Sequence, residues 1–314
     1  MAFNHKHLID ITEYSADDIM LILETATKFK EVNERKIKKL PTLKGFTVVN
    51  MFNEPSTRTR SSFEIAEKRL SCDSLNFGGS STSSVKGESL DDTVETLSSY
   101  KIDMIIVRDK RAGVPYKITQ KTNAHVIDAG DGKHQHPTQA LLDLYSIWQH
   151  KGDLDKLHVG VVGDIGHSRV CGSLIPALKI MGAEVTVIAP PTLMPARPDI
   201  LGADHVCHNI DECLGDLDVV YMLRIQRERL EGAPYPSLRE YNQLFGLTQE
   251  RERLMKPDAI VCHPGPINRG VELDDYMADH PERSVILDQV YAGILTRMAA
   301  LYLLLGGSED GSVA

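Results

Sequence analysis

The chain has 314 residues, more than one hydrophobic core ordinarily serves, so two domains are expected. Its 42% hydrophobic and 25% charged residues are the proportions of a soluble globular protein. A formal net charge of -9 argues against nucleic acid or an anionic membrane surface as the main partner.

The first residues, "MAFNHKHLIDITEYS", carry no apolar signal-peptide core. Ser15 opens a capping-box pattern with Asp18 in the place usually taken by Glu or Gln. Ile19, Ile22, Leu23, Ala26 and Phe29 follow at helical spacing. "GFTVVNMFN" then reads as a buried strand and "STRTRSSFEIAEKRL" as the helix after it. "GGSSTSSVKGES" (Gly78–Ser89) reads as a long mobile loop. "KIDMIIVRD" and "AHVIDAG" are two further buried strands, and "HPTQALLDLYSIWQH" is a helix with Pro137 in its first turn.

The polar "QHKGDLDKLHVG" marks a domain boundary near residue 150, after which a second α/β run begins. "LHVGVVGD", "AEVTVIAPP", "LDVVYMLR" and "DAIVCHPGP" read as strands, and "RVCGSLIPALKIMG" as a helix between the first two. The closing stretch, about 286–305, is too short and too interrupted by Arg297 to span a membrane, so a buried C-terminal helix is expected. Strands alternating with helices imply parallel sheets covered on both faces. The expected architecture is therefore α/β with two domains, each a parallel sheet flanked by helices. Five cysteines, Cys72, Cys171, Cys207, Cys213 and Cys262, form an odd, sparse set without C-x-x-C. No disulfide scaffold is expected, and a reducing cytoplasm fits.

Ligands of open parallel sheets bind beyond the carboxyl ends of the strands. Asn53–Arg60, Arg108 and His136 follow strands of the first half; Arg169, Arg224 and His263 follow strands of the second. Two half-sites facing one another across a cleft would account for this. Ser56, Thr57, Arg58 and Thr59 put hydroxyls and a guanidinium at a helix N-terminus, where bare N–H groups and the dipole favour an anion such as phosphate. The plain alternative is an ordinary N-cap with surface arginines. No G-x-x-x-x-G-K-[ST] occurs, so this is no nucleotide P-loop. Gly160, Gly163 and Gly166 are spaced G-x-x-G-x-x-G, and the next strand ends without an acidic residue, which argues against a nicotinamide enzyme. His205, Cys207, His208 and Cys213 match no zinc spacing and read as a strand running into a helix.

"EPSTRTRSSFE", "DGKHQHPTQALLDL", "GDIGHSRV", "YMLRIQRERL" and "HPGPINRGVE", in this order, resemble the signature segments of catalytic chains in the aspartate/ornithine carbamoyltransferase family. S-T-R-T-R and H-P-x-Q are common to both branches and specify carbamoyl phosphate. His263-Pro264-Gly265-Pro266, in place of the ornithine branch's His-Cys-Leu-Pro, favours the aspartate branch. Arg224 and Gln226 suit an anionic second substrate, and no acidic residue sits beside Arg224 for an ornithine ammonium.

The resemblance implies that Ser56, Thr57, Arg58 and Thr59 hold the phosphate, and that Thr59, Arg108 and His136 surround the carbamoyl oxygen. It implies Gln139 and the Pro264 carbonyl at the carbamoyl amide, with Gly265 and Pro266 lining that pocket. Arg169, Arg224 and Gln226 would hold L-aspartate. Lys86 would enter from a neighbouring subunit and touch both substrates, which requires a homotrimer with shared active sites. Glu54 would orient the arginines. Residues 1–150 with 286–314 would bind carbamoyl phosphate and 151–285 aspartate, the C-terminal helix returning to the first domain. No metal or organic cofactor is implied. Regulatory or dihydroorotase-like partner chains are left open, as are a different amine acceptor and a binding-only relative.

Overall fold

Two parallel sheets organise the chain in a computed structural model that describes residues 3–77, 89–225 and 237–306. The capping box forms as the sequence implies. Ser15 Oγ accepts from Asp18 N at 3.2 Å, and Asp18 Oδ2 accepts from Ser15 N at 3.0 Å, opening α1 (Ala16–Glu34). Such caps contribute about 1 kcal/mol.

The first sheet contains β1 (Thr47–Phe52), β2 (Asp73–Phe77), β3 (Met104–Asp109) and β4 (His125–Asp131) in the order β2-β1-β3-β4, all parallel. Its helices are α2 (Thr57–Leu70), α3 (Leu90–Ser99) and α4 (Val114–Thr119), and α5 (Pro137–Lys151) follows β4. The short edge strand β2 was not anticipated: "DSLNF" is polar and mostly exposed, so it has no buried-strand signature.

Side-chain alternation divides the two faces of this sheet. Val49, Met51, Ile105, Val107 and Val126 point to one core, shared with Val94 and Leu97 of α3 and Val114 and Ile118 of α4. Asn50 points to the other face. It is buried, and its Nδ2 donates to both carboxylate oxygens of buried Glu67 on α2, at 2.9 and 3.0 Å. That bond fixes α2 against the strand that precedes it. Burial pushes the Glu67 carboxyl above its usual range, although Ser74 and Asn50 pull it back.

The second sheet contains β5 (His158–Val162), β6 (Glu184–Ile188), β7 (His205–Cys207), β8 (Val219–Met222) and β9 (Ile260–Cys262), ordered β7-β6-β5-β8-β9 and again parallel. With it go α6 (Arg169–Ile180), α7 (Ile210–Cys213), α8 (Leu238–Phe245), α9 (Gln249–Glu252) and α10 (Asp275–Ala278), and the chain closes with α11 (Ile286–Leu304). The compact units are Met1–Leu142 with Tyr291–Ala314, and Asp143–Val290. Both divisions fall inside helices, α5 and α11, where no polar linker marks them.

Arg297, which interrupts the apolar run of α11, is 3% exposed. Its Nη1 donates to the Gly293 carbonyl at 2.9 Å, and its guanidinium carbon lies 5.0 Å from the centre of the Phe63 ring on α2. Tyr302 meets Phe29 of α1 edge-on at 5.8 Å. The C-terminal part of α11 therefore packs on helices of the first unit, as expected. No helix among the described residues is long and apolar enough to cross a membrane.

Cys207 and Cys213 are joined by a disulfide, a single link that the sequence reading did not single out, while Cys72, Cys171 and Cys262 are free. β7 turns directly into α7, which brings the two sulfurs together; a count of cysteines cannot reveal such a turn. In the same segment His205 pairs with Glu184 at 2.7 Å and His208 with the Ala189 carbonyl at 2.7 Å.

The free edge of β4 is covered by the N-terminal segment. Leu8 N donates to the Val126 carbonyl at 2.9 Å, and Asp128 N to the Leu8 carbonyl at 2.8 Å. Beside it, Val126 N donates to His7 Nδ1 at 3.1 Å, so a proton on that nitrogen would break the bond. Burial, then Lys6 and His125, push His7 down to about 4. The unfolded chain binds this proton below about 6.5 and the folded chain does not until about 4. The stability from His7 is thus present above about 6.5 and lost as pH falls toward 4. Chemical denaturation at pH 7 and pH 5 should show His7→Gln losing about 1 kcal/mol less than wild type over this range, a figure reduced for solvent screening.

Candidate active site

Each sheet reverses its crossover direction once. In the first, the chain runs from β1 outward to β2, then returns to β3 on the other flank of β1 and on to β4. In the second, β5 leads outward through β6 to β7, and β8 then starts on the opposite flank of β5. At such a reversal the connections after two adjacent strands diverge and leave a crevice at their carboxyl ends. Ser56–Thr59 and Arg108 lie at the first of these places and Arg169 and Arg224 at the second, whereas His136 and Gln139 follow β4 and Pro264–Pro266 follow β9.

In the first unit, Ser56 is the N-cap of α2, with extended backbone and a hydroxyl that makes no cap hydrogen bond. Thr57 and Arg58 in the first turn are exposed, and Thr59 is buried. Arg108 leaves the adjacent end of β3, paired in register with Phe52. Its Nη1 donates to the Ala129 carbonyl at 3.1 Å, and its Nη2 lies 3.6 Å from Glu54 Oε1. Glu54 and the end of β4 thus hold the guanidinium from two sides. The β1 and β3 ends are also joined by Asn53 N to the Arg108 carbonyl at 2.8 Å and Asn53 Nδ2 to Asp109 Oδ2 at 3.0 Å. Burial works against a charged Asp109, but bonds from Arg111 and Asn53 outweigh it and hold the carboxyl below its ordinary range.

His136 and Gln139 come after β4. Both are buried, and the His136 carbonyl accepts from Gln139 N at 2.9 Å, which caps α5. His136 Nδ1 lies 3.4 Å from Thr138 Oγ1. Ser56–Thr59, Arg108, His136 and Gln139 thus follow three adjacent strands of one sheet.

In the second unit, Gly163 ends the β5 strand with φ +129°, and a Cβ there would lie 3.0 Å from Leu223 Cβ. At Gly160 a Cβ would meet Leu217 Cδ1 at 2.3 Å. These glycines serve close packing against the neighbouring β8 segment, which accounts for their spacing without a dinucleotide. Asp164 accepts from His167 N and meets His167 Nδ1 at 2.7 Å, closing the turn into α6. Arg169 is the first residue of that helix and is 3% exposed. Arg224 lies just past β8 and is half-buried. Pro264, Gly265 and Pro266 follow β9, with a cis peptide between the last two. Lys86, Gln226 and the loop at 78–88 lie outside the described residues.

The sequence reading missed what supports this half-site. His263 and Glu272 are both fully buried, with Nε2 and Oε1 3.2 Å apart. Gly265 N donates to His263 Nδ1 at 2.8 Å. Asn268 N donates to Glu272 Oε1 at 2.6 Å, and Asn268 Nδ2 reaches both Glu272 Oε2 at 3.2 Å and the Ile225 carbonyl at 3.0 Å. His263 N donates to Gln289 Oε1, whose amide donates to Asp143 Oδ1, which in turn shares its carboxylate with the Tyr221 hydroxyl. Glu272 lies in the quoted segment "HPGPINRGVE", but no role was assigned to it from the sequence. Arg269, by contrast, is spent on the exposed carboxylates of Asp275 and Asp279.

Residues 6–149 match the model of the aspartate/ornithine carbamoyltransferase carbamoyl-P binding domain, and residues 155–304 that of the aspartate/ornithine carbamoyltransferase Asp/Orn binding domain. The chain belongs to the aspartate/ornithine carbamoyltransferase family. Among its relatives in this family, the aspartate carbamoyltransferase catalytic subunit of Syntrophotalea carbinolica is 52% identical, covering 98% of each chain. That of Desulforapulum autotrophicum is 50% identical, covering 99% of each. Among solved structures, aspartate transcarbamoylase from Trypanosoma cruzi in complex with N-(phosphonacetyl)-L-aspartic acid superposes with a TM-score of 0.87 at 30% identity, covering 95% of both chains. The catalytic subunit of M. jannaschii aspartate transcarbamoylase gives 0.84 at 34% identity, covering 97% of this chain and 99% of that one.

Proposed function

We propose that the chain transfers the carbamoyl group of carbamoyl phosphate to the α-amine of L-aspartate, giving N-carbamoyl-L-aspartate and phosphate, an early step of pyrimidine synthesis. The observation that carries this reading is the position of the arginines: Arg58 and Arg108 border the reversal point of one sheet, Arg169 and Arg224 that of the other. Two anionic substrates need two such sets of donors. The names of the full-length relatives support the same activity.

In this proposal the first unit, Met1–Leu142 with Tyr291–Ala314, binds carbamoyl phosphate. The phosphate docks on the N-terminus of α2 against Ser56, Thr57, Arg58 and Thr59, where the Ser56 hydroxyl is not spent on capping. Thr59, Arg108 and His136 donate to the carbamoyl oxygen. Gln139 and the Pro264 carbonyl orient the carbamoyl amide, bordered by Gly265 and Pro266. The second unit, Asp143–Val290, binds aspartate, whose carboxylates pair with Arg169, Arg224 and Gln226.

The neutral α-amine attacks the carbamoyl carbon and forms the new C–N bond. Charge builds on the carbamoyl oxygen, and Arg108, His136 and Thr59 stabilise it as an oxyanion hole. Collapse breaks the C–O bond to phosphate, and the leaving phosphate takes the amine proton. These residues need to supply only positioning and electrostatics, since the leaving group is already activated. Lys86 enters from a neighbouring copy and completes each site in a homotrimer.

Product analysis with carbamoyl phosphate and either aspartate or ornithine tests the reaction. Carbamoyl-aspartate is expected from wild type, with a loss of at least about 100-fold in Arg58→Ala. Carbamoyl-ornithine alone would overturn the acceptor assignment. For the assembly, sedimentation should give a trimer, and Lys86→Ala should lower turnover with the trimer intact. An active monomer indifferent to Lys86→Ala would refute the shared site.

A further inference from the structure

Glu272 is enclosed, and its bonds among the described residues go to His263 and Asn268. Oε1 takes the Asn268 backbone N–H and faces His263 Nε2, while Oε2 takes the Asn268 side-chain amide. The tautomer of His263 follows from its other nitrogen. Gly265 N donates to Nδ1, so Nδ1 is the acceptor, and Nε2 carries the proton that points at Glu272. Three N–H donors thus converge on one buried carboxylate, an arrangement that repays burial of the charge.

The two ends of this network lie beside two different functional residues. At one end His263 fixes the amide of Gly265, and with it the Pro264–Pro266 backbone. At the other end Asn268 Nδ2 holds the carbonyl of Ile225, the residue after Arg224. Strands β8 and β9 are neighbours, and their paired register ends at Tyr221 and Cys262. Beyond that point the Asn268–Glu272–His263 chain replaces the ladder.

We infer that Glu272 is a positioning residue for the transfer reaction, a buried anionic hub that sets the Pro264–Pro266 carbonyl rail and the Arg224 segment in fixed register through His263 and Asn268. The inference rests on the reaction proposed above. It acts through these two partners and touches no substrate. Its charge matters because a neutral amide cannot accept at both positions. In Glu272→Gln one oxygen still serves Asn268 N and His263, but the new NH2 opposes Asn268 Nδ2. Asn268 must then turn, and its bond to Ile225 is lost.

The two ends can therefore be separated by kinetics. Glu272→Gln and Asn268→Ala should raise the aspartate KM about 10-fold and leave the carbamoyl phosphate KM within about twofold, because both variants spare Gly265. Glu272→Ala should release both ends and lower kcat about 100-fold, with faster hydrogen exchange at the Gly265 and Asn268 amides. His263→Asn, whose Oδ1 replaces Nδ1 as acceptor, should retain more kcat than His263→Ala. All are measured well below each variant's Tm. Variants with lower Tm but wild-type KM and kcat would overturn the inference, as would rate losses with unchanged exchange at the two amides. If Glu272→Ala fails to fold, the milder Asn268→Ala and His263→Asn decide by the same readouts. A wild type that carbamoylates ornithine and not aspartate would refute the acceptor assignment alone. The KM and exchange comparisons then decide the hub with ornithine as acceptor.

Discussion

A parallel sheet cannot be extended on both flanks of its first strand without one reversal of crossover direction, and that topological constraint places the Ser56–Thr59, Arg108, Arg169 and Arg224 positions in this chain. The reversal separates the connections after β1 and β3 in one sheet, and after β5 and β8 in the other. At each crevice a helix starts immediately beyond the strand: α2 after β1, with Ser56 as N-cap, and α6 after β5, with Arg169 as its first residue. The backbone N–H groups of those first turns, the dipoles and the arginines all favour anions at the same points. Carbamoyl phosphate and aspartate are both anions, so in the proposed reaction one fold device used twice would serve both.

The parts that were legible in the sequence are those whose signal is local. β1, β3, β5 and β8 are continuous apolar runs, as strands covered on both faces must be. S-T-R-T-R after such a run is a helix N-terminus crowded with donors, and the Ser15 cap lies wholly within four residues. The illegible parts depend on contacts made far along the chain. β2 is a strand only because β1 offers its edge; the composition of "DSLNF" carries no such signal. The Asp143–Gln289 bond joins residues 146 positions apart. Glu67, Asp143 and Glu272 carry no local sign of burial, yet all three are 0% exposed. The disulfide between Cys207 and Cys213 needs the β7–α7 turn, which no count of cysteines contains.

Those buried carboxylates share a design. Asn50 serves Glu67, Tyr221 and Gln289 serve Asp143, and His263 with Asn268 serves Glu272. Mostly neutral donors satisfy the lone pairs without a second buried charge, so the large desolvation cost of an ion pair is not doubled. Such networks are directional where apolar packing is not, and each one ends at a segment that the chemistry needs held still. Asn50–Glu67 locks the cradle helix α2 to β1. Gln289 and Glu272 hold His263 and the loop that follows it. The interior polar groups thereby carry the precision of the sites, while the apolar runs supply the stability.

The account divides the labour between two units, and a binding measurement tests that division directly. Calorimetric titration of carbamoyl phosphate into wild type, Arg58→Ala and Arg224→Ala should show tight binding by wild type and by Arg224→Ala, and a loss of about 100-fold or more in Arg58→Ala. Undiminished binding by Arg58→Ala, or an equal loss in Arg224→Ala, would contradict the assignment of the phosphate to the first sheet's reversal point.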